Sequence, residues 1–259
     1  MRVPWICAVA ALAAWCGAAP ARAGFISAPD VVLYCNPDIA HACEAVGAEF
    51  RARTGVPVRV LSAPAVQQLA LIERGTRSDV LMTLAPQMDL AAARHLLDPQ
   101  NRYGAWRDAL VLGGRGLPTA TQPLAADAEA ALQGTGKLAL VDPTEAGSLD
   151  GPALIERLGW HPAATAGAAD GREVAWMLSH YAARLGVLPR SALLADPSLQ
   201  VVAPIAADAY APIVYSAAVT HSALSRYAAA FLDFLKTPAA ESVLAGAGLE
   251  KNPGLEKNQ

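Results

Sequence analysis

Short apolar runs alternate along the chain with longer segments whose apolar residues recur at the spacing of one helical face. Each run has the length of a buried strand and ends in turn-forming residues. Strands are predicted at residues 31–35, 56–61, 79–83, 109–112, 137–141, 201–204 and 211–220. Helices are predicted at residues 39–54, 65–74, 124–132, 151–159, 172–185, 222–236 and 238–247. The alternation predicts an α/β fold in which mostly parallel sheets are flanked by helices.

Two segments fit this alternation less well. Residues 103–108 have the polar character of a loop before the apolar strand that follows them. The tail repeats one hexapeptide, as GLEKNP at 248–253 and GLEKNQ at 254–259. We interpret the repeat as a surface segment or a frayed terminus.

The first 23 residues have the pattern of a secretory signal peptide. Arg2 precedes an apolar stretch that is too short and too rich in alanine for a membrane span. Ala21-Arg22-Ala23 fits the small-x-small cleavage pattern, so the mature chain is expected to begin at Gly24. The sequence therefore predicts export to the periplasm.

Composition excludes several classes of protein. Hydrophobic residues make up 54% of the 259 and charged residues 17%, which predicts a sizeable core and excludes a disordered chain or a coiled coil. The 20 basic and 23 acidic residues give a net charge of −3 and no basic face for phosphates. We therefore expect no nucleic-acid partner.

Cys35 and Cys43 remain after removal of the signal peptide. An oxidising compartment favours a disulfide between them, and a strand end followed by the first turns of a helix can allow closure. Two buried free thiols and a redox or metal role are the alternatives. A structural zinc site needs four ligands, and the five histidines do not cluster in the sequence. The sequence thus predicts no metal site.

No enzyme motif is present in the sequence. The chain lacks a Gly-x-Ser-x-Gly elbow, a phosphate-binding loop, a zinc-protease motif and a dinucleotide fingerprint. Asp38, His41 and Cys43 are close in sequence, but His41 and Cys43 are two residues apart and do not share a helical face. We predict no catalytic residues, no enzyme activity and no cofactor.

Several stretches in combination resemble periplasmic substrate-binding proteins of ABC transporters, most of all the molybdate-binding branch. The stretches are VVLYCNPDIAHACEAVGAEFRARTGVPVRVL, LIERGTRSDVLMT, WRDALVLGG, ALVDPTEAG followed by LIERLGW, and DAYAPIVYSAAV followed by FLDFLKTPAAESVLAGAGL. The resemblance covers most of residues 30–250. It implies a two-lobed periplasmic-binding-protein type 2 fold with a double crossover.

The resemblance also implies how the chain is divided and used. Lobe one is expected at 24–113 and 204–259, and lobe two at 114–203. A small ligand is expected between the lobes, at the carboxyl ends of strands and at helix N-termini. Closure about the crossovers then presents the loaded receptor, a monomer, to a membrane permease.

Candidate ligand contacts follow from the family's positions in this sequence. They are Asn36, Asp38, Ser62, Ala63, Gly147, Ser148, Asp170 and Arg172. Asp38 stands where the family has a serine, and the Ser62-Ala63-Pro64 turn keeps a single hydroxyl. The stretch at 186–190 has no tyrosine where the family has one.

Three hypotheses for the cleft remain open. An oxyanion could be held by backbone N–H groups together with Arg172 or Arg190. Asp38 could instead bind the hydroxyl or amine of an organic ligand, or it could bind a cation. The cleft could also be degenerate, with the protein acting by contact with a partner. For Asp38 itself, capping of the following helix is compatible with all three.

Overall fold

The computed structural model describes residues 29–119, 136–143 and 149–252. The strands are β1 (Val31–Cys35), β2 (Val58–Ser62), β3 (Val80–Leu84), β4 (Leu97–Asp108), β5 (Leu110–Gly114), β6 (Lys137–Val141), β7 (Ala164–Ala168), β8 (Leu185–Pro189), β9 (Gln200–Pro204), β10 (Ile213–Thr220) and β11 (Glu250–Lys251). The helices are α1 (Ala40–Thr54), α2 (Ala65–Glu73), α3 (Ala85–Ala93), α4 (Gly151–Arg157), α5 (Gly171–Ser179), α6 (Arg190–Leu194), α7 (Ala228–Phe234) and α8 (Pro238–Gly246). Short 3-10 helices cover Pro37–Ile39 and Ala207–Ala209.

The strands form two sheets, each flanked by helices. The first sheet has the order β11-β4-β10-β3-β1-β2, and the second has the order β7-β6-β8-β5-β9. We call the first sheet with α1–α3, α7 and α8 lobe one, and the second sheet with α4–α6 lobe two. The predicted two-lobed α/β architecture is confirmed.

β1 is the central strand of the lobe-one sheet. All five of its residues are buried, and it pairs in parallel with β2 on one side and β3 on the other. A short apolar run is what such a strand requires, because neither face meets water. Parallel neighbours place their carboxyl ends at the same edge, so the turns after β1, β2 and β3 lie together.

Helix α1 follows β1 and returns the chain to the start of β2. It ends at Gly55, which has a φ of 74° and whose N–H donates to the carbonyl of Arg51. Glycine adopts this left-handed conformation without the penalty of a Cβ. Phe50 on α1 packs against Phe231 of α7 with ring centroids 5.1 Å apart, which joins the two helices in the lobe-one core.

The chain crosses between the sheets twice within the described residues. The first crossing is at Ala109, between β4 and β5, and the second is the segment between Pro204 and Ile213. We expected lobe one to continue to residue 113, but β5 belongs to the second sheet. The crossing is hard to recognise in the sequence because it is a single residue, Ala109, between the last residue of β4 and the first residue of β5.

Two predicted elements have other bounds. The helix expected at 172–185 ends at Ser179, and Tyr181 follows with a φ of 59°. Leu185 lies at helical spacing from Leu178 but begins β8, which explains the error. The loop-like residues 103–108 are the end of β4, whose polar sequence hid the strand.

The helix expected at 222–236 also begins late, at Ala228. The N–H groups of Leu224 and Ser225 donate to the carboxylate of Asp79 instead of joining a helix. Three segments lie outside the described residues: the predicted signal peptide at 1–23, the predicted helix at 124–132 and the second hexapeptide at 254–259. No helix in the described ranges is long and apolar enough to span a bilayer.

The predicted disulfide is not formed in the structure. Cys35 and Cys43 are both buried free thiols, and the Sγ of Cys43 lies 3.8 Å from the Sδ of Met82. Burial raises the pKa of the Cys43 thiol well above its ordinary value, and the neighbouring Cys35 acts in the same direction. The alternative of two buried thiols therefore describes this structure.

Candidate functional site

The turn after β1 presents Asp38 at the carboxyl edge of the lobe-one sheet. Asn36 is buried, and its Oδ1 accepts from the N–H of Asp38 at 2.9 Å. This contact caps the 3-10 helix Pro37–Ile39, which begins with a proline. Asp38 is thus held in the first turn rather than acting as the cap itself, and its carboxyl points toward lobe two.

The carboxyl of Asp38 meets the N-terminus of α5 in lobe two. The N–H of Gly171 donates to Asp38 Oδ1 at 2.7 Å. A Cβ at residue 171 would lie 2.9 Å from that oxygen and 2.6 Å from Cδ of Pro189. The contact therefore depends on a glycine, because a larger residue would separate the two surfaces.

Asp170 caps α5. Its Oδ1 accepts from the N–H of Glu173 at 2.8 Å, and Glu173 Oε2 accepts in turn from the N–H of Ala169 at 2.7 Å. This reciprocal arrangement satisfies the first N–H groups of the helix. The charge of Asp170 nevertheless acts on Asp38 across the gap between the lobes.

The pKa of Asp38 is raised from its ordinary value of 3.8 to about 7. Burial of the carboxyl is the largest cause, followed by the negative charge of Asp170. The N–H groups of Gly171 and Arg172 lower the pKa by less, because they favour the charged form. Asp38 can therefore gain or lose a proton near neutral pH while it lies against α5.

Ser62 and Arg172 form a second polar contact between the lobes. Ser62 ends β2, and its Oγ accepts from Arg172 Nη1 at 3.4 Å. The neighbouring Ala63 contributes its backbone, since its carbonyl accepts from Nε2 of the buried Gln68 at 2.7 Å. Gln68 also donates to the carbonyl of Cys35, and so it joins the turns after β1 and β2. The sequence analysis missed Gln68, which is the one polar residue on the buried face of α2.

Ser191 and Asp108 make a third contact that the sequence did not predict. The Oγ of Ser191 lies 3.1 Å from the carbonyl oxygen of Asp38 and within hydrogen-bond distance of Asp108 Oδ2. The N–H of Ser191 donates to Asp108 Oδ1 at 3.3 Å. Burial raises the pKa of Asp108 from 3.8 to about 6, although the hydrogen bonds from Ser191 oppose this shift. Nothing in the local sequence around Asp108, at the end of β4, indicates that its side chain contacts lobe two.

A cavity of about 220 Å³ lies between the lobes at the same edge of the lobe-one sheet. Leu84 and Pro86 of lobe one, Asp150 and Arg157 of lobe two, and Tyr210 of the second crossing line it. Ligand pockets commonly have about 300–1,000 Å³, so this one suits a solute of few atoms. Gly147 and Ser148, which precede Asp150 in the chain, lie outside the described residues.

The structure thus brings together the predicted site residues at the ends of β1 and β2 and at the start of α5. Asn36, Asp38, Ser62, Ala63, Asp170 and Arg172 lie where the lobes meet. No group of three or more His, Cys, Asp or Glu side chains suited to a metal ion occurs in the described part of the chain. The arrangement places the N-terminus of α5, Arg157, Arg172 and several carboxyl groups where the lobes meet.

A family model described as bacterial extracellular solute-binding protein matches residues 31–250. The chain belongs to this family. Two lobes, two crossings and polar strand ends that face a helix N-terminus are consistent with that membership. No curated protein matches the sequence of this solute-binding protein.

Solved structures similar to this solute-binding protein differ in what they bind. The Azotobacter vinelandii periplasmic molybdate-binding protein is 19% identical, with 85% of this chain and 98% of that chain covered and a TM-score of 0.72. The sulfate-binding protein SubI from Mycobacterium tuberculosis is 16% identical, with 88% of each chain covered and a TM-score of 0.65. Iron-bound HitA from Pseudomonas aeruginosa is 15% identical, with 88% of this chain and 90% of that chain covered and a TM-score of 0.56. At these identities the similarity shows the fold, and the ligand must be argued from the site.

Proposed function

We propose that this protein is an exported, monomeric receptor that binds a small solute between its lobes and delivers it to the permease of an ABC importer. The observation that carries the proposal is the meeting of the turn after β1 with the N-terminus of α5. Asp38 Oδ1 and the N–H of Gly171 are 2.7 Å apart across the two lobes. A solute that enters here contacts both lobes, which is how ligand binding can favour closure.

The charges at this place favour a solute that offers hydrogen-bond donors, such as hydroxyl or amino groups. Asp38, Asp108 and Asp170 are carboxyl groups, and Arg172 is the cation that reaches across the cleft. A dianion would have to displace the Asp38 carboxyl from Gly171 and then lie beside it. Repulsion between like charges is strong where water is excluded.

A thermal-shift screen tests the proposal. The panel contains polyols, amines, amino acids, divalent metals, molybdate, tungstate, sulfate and phosphate. A solute at 100 times its Kd adds about 2.7 kcal/mol of stability, which raises Tm by a few degrees. We expect a shift with a polyol or an amine, weakened at least tenfold in Kd by Asp38→Ala.

Asp233→Asn is the matched control, because Asp233 pairs with Lys236 on the surface of lobe one. It should leave the shift unchanged. A shift with molybdate or sulfate would contradict the donor-bearing class of ligand and retain the receptor. Isothermal titration of the responding solute then gives its Kd and stoichiometry.

A second candidate function is a partner-binding protein whose cleft is closed by its own side chains. The contact of Asp38 with Gly171 favours it, because the α5 N-terminus is already occupied by a carboxyl of the same chain. No shift across the whole panel, together with co-purification of a specific protein that Asp38→Ala does not release, would support this function over the receptor.

A further inference from the structure

Four hydrogen-bond contacts join the lobes at one place. Asp38 Oδ1 accepts from the N–H of Gly171, and the Asp38 carbonyl lies 3.1 Å from Ser191 Oγ. Ser191 also reaches Asp108 Oδ2 through its Oγ and donates its N–H to Asp108 Oδ1. We call this set of four residues, Asp38, Asp108, Gly171 and Ser191, the carboxyl latch. It links β1 of lobe one, the first crossing and two helices of lobe two.

The hydroxyl of Ser191 faces two acceptor oxygens in the latch but has a single proton to donate. Both contacts are full hydrogen bonds if the Asp108 carboxyl carries a proton. Asp108 then donates to Ser191 Oγ, and Ser191 donates to the carbonyl of Asp38.

The position of Asp108 makes this proton relevant to lobe motion. Asp108 is the last residue of β4, and Ala109 is the first crossing between the sheets. Ser191 belongs to α6 of lobe two and is buried together with Asp108. Opening about the crossing separates Ser191 from Asp38 and exposes the acids to water, where their ordinary acidity returns.

The groups packed around the latch are mostly acidic or neutral. Asp170 from the start of α5 faces Asp38, and the buried Tyr215 of β10 lies near both latch acids. The thiols of Cys35 and Cys43 are also close to Tyr215, and burial raises the pKa of the Cys43 thiol well above its ordinary value. The nearby cations are Arg172, which contacts Ser62, and Arg190, which acts on Asp108 and lies 3.7 Å from Glu250.

We propose that closure of the lobes is accompanied by proton uptake at Asp38 and Asp108, so that the closed receptor is favoured at acidic pH and loosens as pH rises. The inference concerns regulation of the interlobe site and rests on the proposed receptor function. A protonated Asp38 still accepts from Gly171 through one oxygen, and it no longer repels Asp170. A protonated Asp108 completes the hydrogen bonds of Ser191.

The direction of the effect follows from linkage. In the closed form the pKa values are about 7 for Asp38 and about 6 for Asp108, against an ordinary value of 3.8. A raised pKa means that the closed form binds the proton more tightly than the open form does. The preference for closure is therefore full below about pH 4 and is lost as pH rises through about 6–7.

Small-angle X-ray scattering of the purified protein without any solute tests the latch. The radius of gyration is measured from about pH 5 to about pH 8. Each proton changes the ratio of closed to open forms by up to about tenfold per pH unit. We expect the wild-type radius to increase with pH across this range.

Asparagine variants keep the shape of the aspartate side chains in the latch but cannot become charged. Asn has an amide N–H₂ that can donate where a protonated carboxyl donates, and an oxygen that can accept. The double variant with Asp38→Asn and Asp108→Asn should stay closed at every pH. Ser191→Ala should be more open than wild type at about pH 5, and Asp233→Asn should behave as wild type.

A wild-type radius that does not change with pH would overturn the proposal, as would a double variant that keeps the wild-type pH dependence. If the double variant does not fold, carbon NMR titration of the wild-type aspartate carboxyls decides instead. Two buried carboxyls must then titrate above about pH 5. Because no solute is present, failure of the solute panel leaves these results intact, and a solute that binds a pH-insensitive protein would overturn only the latch.

Discussion

Two aspartates in this protein, the fully buried Asp79 and the partly buried Asp38, have opposite surroundings. Asp79 in lobe one accepts from Arg77 at 2.6 Å and from the N–H groups of Val32, Leu224 and Ser225 at 2.7–2.8 Å. These donors lower the pKa of Asp79 in spite of its burial, with Arg77 the largest of them. The carboxyl of Asp38, between the lobes, accepts from the backbone N–H of Gly171. Its pKa is raised by burial and by the negative charge of Asp170.

The comparison shows that Asp79 is a structural acid, whereas Asp38 can change its charge when the lobes move. Asp79 is surrounded by donors that all belong to one rigid lobe, so its carboxylate stays ionised and holds the loop at 222–227 in place. Asp38 has few donors, and these belong to the other lobe. A carboxyl that is short of donors in one conformation and hydrated in another will exchange protons when the conformation changes.

Asp79→Asn should have the largest effect on stability. The change removes the ion pair with Arg77 and turns an amide N–H₂ toward backbone N–H groups that need an acceptor. Breaking a buried, hydrogen-bonded charge pair costs about 3–5 kcal/mol of unfolding free energy. Urea unfolding at neutral pH measures it, with Asp233→Asn as the surface control. A loss below about 1 kcal/mol would show that Asp79 is not the structural acid of this comparison.

Gly171→Ala should have an intermediate effect on stability, and it should mainly disturb the contact between the lobes. The new Cβ would lie 2.6 Å from Cδ of Pro189 and 2.9 Å from Asp38 Oδ1. Overpacking of this kind costs about 1–3 kcal/mol. We expect a larger radius of gyration at about pH 5 and a modest loss in unfolding free energy. Gly246→Ala is a matched control, because nothing lies within 4 Å of a Cβ there.

Asp38→Asn should have the smallest effect and one that depends on pH. The raised pKa of Asp38, about 7, means that wild type loses stability as pH rises through that value, whereas Asn cannot lose a proton. The variant should match wild type at about pH 6 and exceed it by roughly 1.4 kcal/mol at about pH 8, because one pKa unit corresponds to that free energy. Unfolding curves at the two pH values give the difference. A variant that is less stable than wild type at the higher pH would contradict the comparison.

β1, β3 and β6 could be predicted because buried parallel strands are short apolar runs, whereas β4, β7 and β8 are not among the predicted strands. The positions of Asp38, Ser62 and Asp170 near one another could be predicted as well, since strand ends and helix starts meet at one edge. The first crossing could not, because a single residue, Ala109, separates β4 from β5 and the polar end of β4 is interpreted as a loop. Ser191, Gly171 and Gln68 acquire their roles from partners far along the chain, and no local pattern records such partners.

Closure also has a consequence for the order in which the protein matures. Ser191 Oγ lies 3.1 Å from the carbonyl oxygen of Asp38, and a Cβ added at Gly248, whose φ is 95°, would lie 3.2 Å from the backbone of Ser191. The chain is synthesised from its N-terminus, so Asp38 and Ser191 are made well before Gly248. The packing of residue 248 against the backbone of Ser191 is therefore completed last.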